Sequence, residues 1–144
     1  MILGPYLREP RSPVVLGESG VAALADATYD PRVHMGILTP KEYAERAYRL
    51  VSGIDRCEVY LTDPGANIIG AVVMTRVDDI HYGEVAAPVT LMLIPRVRND
   101  RDTLRRVREM IELAVKALGC RYYYTVKHTA PGVQLHRLRE VQHG

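Results

Sequence analysis

The chain contains no tryptophan and no phenylalanine, so its nine tyrosines supply every aromatic ring. Each ring that enters the core therefore brings a hydroxyl that must find a partner or reach water. Cysteine is nearly absent: Cys57 and Cys120 are the only two, at no metal or redox spacing. That excludes a disulfide-framed scaffold, and both thiols read as small core residues in a reduced, cytoplasmic setting. No apolar run approaches the ~20 residues a membrane span needs. Met1-Ile2-Leu3-Gly4-Pro5-Tyr6 lacks the basic-then-apolar pattern of a secretory signal, so none is expected. His34, His81, His128, His136 and His143 never fall four apart or beside a cysteine pair, and no metal site is expected. Ser12, Ser19 and Ser52 lie in no nucleophile elbow, and no Walker or dinucleotide glycine loop is present.

What is there fits one soluble domain of 144 residues, with 47% hydrophobic and 25% charged residues. The net charge is only +2, too little to argue for nucleic acid from the total. Its distribution is uneven. Between Arg96 and Arg108 six arginines face two aspartates, so the remainder is slightly acidic. Such a stripe is either a solvated helix face or a surface for phosphate, carboxylate or an acidic partner.

Pro5, Pro10 and Pro13 set residues 1–13 apart as an extended arm, with residues 14–144 as the domain and a first strand at Val14-Val15-Leu16. Glu18 to Thr28 reads as a short helix. Thr39-Pro40-Lys41-Glu42 carries a capping box with proline at the first helical position, and Gly53 stops that helix. Cys57–Thr62 and Ile68–Thr75 read as a hairpin around Asp63-Pro64-Gly65-Ala66-Asn67. Residues 77–84 read as a polar loop. Pro88–Ile94 is apolar without alternation, as in a central strand covered on both faces. Leu104, Val107, Ile111, Ala114, Val115 and Leu118 hold helical spacing up to Gly119. Cys120–Lys127 is a strand whose Tyr122-Tyr123-Tyr124 reads as core packing rather than a base-stacking platform. Gly132–Val141 reads as a last short helix.

This order resembles the GNAT acyltransferase superfamily over roughly residues 14–141. Asp63-Pro64-Gly65-Ala66-Asn67-Ile68-Ile69-Gly70, Leu93-Ile94-Pro95, Pro95-Arg96-Val97-Arg98, Ala117-Leu118-Gly119-Cys120 and the stretch from Thr129 to Leu138 carry the likeness. It implies an α/β (α+β) fold: a mixed, mostly antiparallel sheet, a V-shaped split at the central strand, flanking helices, and no counterpart of the family's last two strands. It also implies an acyl-coenzyme A site, with acetyl-CoA the possible cofactor. Leu93, Ile94, Arg96, Arg98, Arg101, Asp102 and Thr103 would form it, because amides and dipole at a helix start attract phosphate. Glu84 or His81 would serve as base and His136 as acid.

The chain departs from that pattern where the family's phosphate-loop glycines fall, on Arg101 and Thr103. A differently shaped turn is expected there, with Asn99 or Asp100 capping the helix. From these losses the expectation is a non-catalytic or weakly active GNAT-fold component of a larger assembly, similar in size to internal virion or assembly proteins of short-tailed bacteriophages. It would reside in host cytoplasm and virion and dock other protein chains, or further copies of itself, through the arm and an open sheet edge. The alternative is an acetyl-CoA-dependent N-acetyltransferase acting on a primary amine. Membrane and nucleic-acid partners are not expected; an arginine stripe on nucleic acid would show strong salt dependence.

Overall fold

A computed structural model describes residues 1–34 and 38–142; His143 lies outside them. The elements are β1 (Ile2–Arg8), α1 (Gly17–Thr28), α2 (Pro31–His34), α3 (Pro40–Ser52), β2 (Arg56–Thr62), β3 (Ile68–Asp79), β4 (Gly83–Leu93), a 3-10 turn (Pro95–Val97), α4 (Arg101–Ala117), β5 (Tyr122–Ala130) and β6 (Val133–Glu140). They build one six-stranded sheet in the order β1-β2-β3-β4-β5-β6. Every neighbouring pair is antiparallel except β4 and β5, which run parallel. No helix among the described residues is long and apolar enough to cross a membrane.

Helices cover both faces, as β2 and the first half of β3 require, since every residue of β2 and the run from Ile69 to Met74 is buried. On one face α4 sets Val107, Met110, Ala114 and Val115 against Cys57, Val59, Val72 and Met74. Cys57 and Cys120 are both buried free thiols, and burial pushes the Cys57 thiol up to about 11. On the other face α1 and α3 cover Tyr60, Ala71 and Met92. The capping box of α3 is formed as expected, with the Thr39 side chain accepting from the Glu42 amide and Glu42 reaching back.

Three sequence expectations change. Residues 1–13 are not an arm: Ile2–Arg8 form β1, paired along β2, and Val14–Leu16 are not a strand. Pro5 is tolerated because β1 is an edge strand. The polar stretch 77–84 extends β3 and β4, leaving a tight turn over residues 80–82. Gly132–Val141 is not a helix; Val133–Glu140 pair with β5 as a hairpin, turning at Pro131-Gly132 with Gly132 at positive φ.

β2 also carries a buried ionic network. Arg56 and Glu58 are both 0% exposed. Arg56 Nε donates to Glu58 Oε2 at 2.9 Å, and its other nitrogens donate to the carbonyls of Glu9, Ser12, Pro13 and Ile54. Glu58 Oε1 accepts from the Val15 amide and the Tyr60 hydroxyl. Removing one partner of a buried pair strands the other. Arg56→Met is therefore expected to lower the unfolding free energy by about 3–5 kcal/mol in urea titrations. Arg121→Met, which breaks the exposed pair with Glu140, should leave the midpoint almost unchanged. Equal effects of the two would show that the buried network does not hold the fold.

Candidate active site

β4 and β5 share a single bridge, Ala86 with Tyr123, near the start of each. Among the described residues no further pair joins them, so the strands part toward their C-terminal ends. Two features of β4 promote this. Val89 is an extra residue in the register between Pro88, opposite Met74, and Thr90, opposite Val73, and such a bulge bends a strand. Pro88 has no amide hydrogen to offer a neighbour.

The gap is a slot of about 500 Å³. Pro88 to Leu91 of β4 form one wall and Tyr124 to Val126 of β5 the other, with Val72, Met74 and Ile111 behind them. His128, Gln134 and His136 supply its polar side. Alternation explains this lining: the β5–β6 register places Tyr124, Val126 and His128 on one face with Leu138, His136 and Gln134. His136 Nε2 lies 3.3 Å from Gln134 Oε1, and its ring meets the edge of Tyr124 at 6.2 Å. The Tyr124 hydroxyl donates to Asp79 Oδ2. That bond pushes Tyr124 above the ordinary tyrosine range and holds Asp79 below the carboxylate range, helped by the His81 and Tyr82 amides. A groove of about 680 Å³ between α1 and α3, lined by Glu18, Asp26, Lys41 and Glu45 among others, shares no residue with the slot.

The start of α4 carries a carboxylate cap of its own. Asp100 caps it, its carboxylate accepting from the Thr103 amide at 2.9 Å and the Thr103 hydroxyl at 2.7 Å. These bonds lower the Asp100 pKa. Arg101 and Thr103 are not at positive φ; the turn takes another shape, as expected where glycine is missing. The remaining candidates scatter. Arg98 Nε donates to the Leu93 carbonyl at 2.8 Å, and the Ile94 amide is taken by Ile69. Arg96 pairs with Asp63 in the β2–β3 turn at 3.2 Å, and Asp102 with Arg105 and Arg106. Glu84 and His81 sit before the Ala86 bridge, at the closed end of the split, and do not line the slot. Only His136, of the three proton-transfer candidates, does. Tyr124, Asp79, His128 and Gln134 escaped sequence reasoning. The signal was present in the period-two alternation from Val133 to His136 after a Pro-Gly turn, which marks a hairpin. No group of three or more potential metal ligands occurs among the described residues.

No family model and no curated protein matches the chain. Solved structures do. The chain is similar to a GNAT family acetyltransferase from Staphylococcus aureus, at 15% identity and TM-score 0.51, covering 83% of this chain and 81% of that one. It is also similar to a GNAT superfamily phosphinothricin acetyltransferase from Sinorhizobium meliloti, solved in complex with AcCoA, at 19% identity and TM-score 0.53. That match covers 86% of this chain and 66% of the other. At such identities the likeness establishes the fold, a GNAT-like mixed sheet with flanking helices.

The Asp79–Tyr124 bond gives a pH-dependent test. Asp79 is lowered on folding, so its contribution to stability is present above the ordinary carboxylate range and fades as pH falls through the folded value. Tyr124 is raised, so its contribution is present below the ordinary tyrosine range and fades at more alkaline pH. In Asp79→Asn the Tyr124 ring resonances should titrate at lower pH than in the wild type, toward the ordinary tyrosine value. An unchanged Tyr124 titration would mean the bond does not form in solution.

Proposed function

We propose that this protein is an acetyl-coenzyme A-dependent N-acetyltransferase acting on a primary amine. The observation that carries it is the split between β4 and β5. A narrow, largely apolar slot beside an unpaired strand edge suits the thin pantetheine chain of an acyl-coenzyme A: peptide-like groups can pair with the β4 backbone while the methylenes lie against Pro88, Val89 and Leu91. Bound there, such a donor supplies an acyl group activated as a thioester. The GNAT-like fold supports the same reading.

The chain's own part is proton handling and positioning. The Tyr124 hydroxyl is committed to Asp79, so it braces the wall of the slot. His136, steadied by Gln134, presents an imidazole that can take up and release a proton at the mouth. We assign His136 the acid role expected from the sequence, with His128, also at the mouth, the nearest second imidazole. Glu84 and His81 have no such place. The assembly role expected from the missing glycines was to dock partners through the arm, and residues 2–8 are instead strand β1.

Calorimetric titration with acetyl-CoA followed by an amine-acceptor screen tests the proposal. Binding in the micromolar range is expected for the wild type. Val126→Trp, which fills the slot, should abolish it without altering the circular dichroism spectrum. His136→Ala should retain binding and lower kcat by about a hundredfold or more, the usual scale for a lost proton-transfer group. No binding at millimolar acetyl-CoA would overturn the proposal.

A further inference from the structure

Resting on that reading, we infer that the phosphate end of the donor is held by arginine side chains in a groove between α4 and the β5–β6 hairpin, and not by amides at the helix start. Arg101, Arg105 and Arg108 follow one another at helical spacing along the face of α4 that looks onto the hairpin, and they line a groove of about 900 Å³. Arg139 reaches it from β6: it stands opposite Tyr123, whose side chain packs toward α4. Arg105 pairs with Asp102. Arg101, Arg108 and Arg139 have no carboxylate within salt-bridge distance among the described residues. Among the described residues Arg139 donates only to the Thr125 hydroxyl, at 3.3 Å.

Two carboxylates share the groove, Glu109 and Glu112, and the latter accepts from the Gln142 amide. Positive charge still exceeds negative there. Guanidinium groups that face one groove without partners repel one another, and a polyanion relieves that repulsion while giving each a charge-assisted bond.

The groove adjoins the slot. Ile111 and Thr125 line both. A ligand reaching across both would be thin and nearly uncharged at one end and polyanionic at the other, which is the build of coenzyme A. At the helix start, where phosphate could otherwise sit, the Asp100 carboxylate takes the Thr103 amide and hydroxyl, and its negative charge would repel a phosphate. Side chains on the exposed face of α4 thus take over what a glycine-rich turn would do with backbone.

Titrations of coenzyme A, 3′-dephospho-coenzyme A and pantetheine against the full chain separate the possibilities. In the double variant Arg108→Ala/Arg139→Ala, coenzyme A should bind about a hundredfold more weakly, roughly tenfold for each guanidinium removed from the phosphates. 3′-Dephospho-coenzyme A should lose less and pantetheine nothing, so the three affinities converge. Arg46→Ala on α3 is the control for general charge and should change none of them. Coenzyme A binding equally well to the double variant would overturn the inference and leave the donor proposal standing. Failure of all three ligands to bind the wild type would overturn both. A single-stranded oligonucleotide that binds tightly and loses affinity in the double variant, while coenzyme A does not, would reassign the groove to a nucleic acid.

Discussion

The carboxylate of Glu58 is the group on which the first half of the fold depends. Its two oxygens bind three groups: Arg56 and the Tyr60 hydroxyl, both on its own strand, and the distant amide of Val15. Arg56 extends that reach to the carbonyls of Glu9, Ser12 and Pro13, so the connection from β1 to α1 is threaded through one buried ion pair. An amino-acid composition without phenylalanine makes the arrangement intelligible. Tyr60 must fill an apolar site, its hydroxyl needs an acceptor, and Glu58 provides one; burial and that bond together push the phenol well above its ordinary range.

The second half is built on a different principle. β1 to β4 are knitted by long antiparallel ladders, whereas β5 and β6 are attached through one backbone bridge to β4, the Tyr124–Asp79 bond and the packing of Tyr123 and Val141 under α4. A sheet that opens in its middle leaves strand edges and apolar walls facing one another, with α4 as the common backing. The gap is therefore rigid on the β4 side and thinly supported on the hairpin side. Both walls are needed for a site of this shape, and they are held by unequal forces.

Strong local chemistry was the legible part of the sequence. The Thr39–Glu42 box, the apolar stripe of α4 and the Asp63–Asn67 turn each satisfy backbone groups within a few residues, so sequence neighbours decide them. β1 was hidden because Pro5 within it and Pro10 and Pro13 after it argue against a strand, and only pairing with β2, far along the chain, makes edge placement acceptable. The final hairpin was hidden for a related reason. Val133, Leu135 and Leu138 satisfy a loose helical spacing, while their alternation with Gln134 and His136 acquires meaning only once Pro131-Gly132 is taken as a turn. The site followed the same divide: His136 was legible as a polar group in the last element, but Tyr124 meets Asp79 only through the tertiary fold. The replacement of glycine by Arg101 and Thr103 was visible, and the cap it leads to at Asp100 obeys ordinary helix-start rules.

The β5–β6 hairpin has one property that bears on how such a protein changes over time. From Lys127 to Glu140 it buries no side chain fully, yet it carries His128, Gln134, His136 and Arg139 at the rim of the channel. Substitutions at exposed positions of this kind cost little folding free energy. The rim residues of the hairpin and the residues that secure the core are thus separate sets. A lineage can rewrite that rim while leaving untouched the buried side chains that keep the sheet intact.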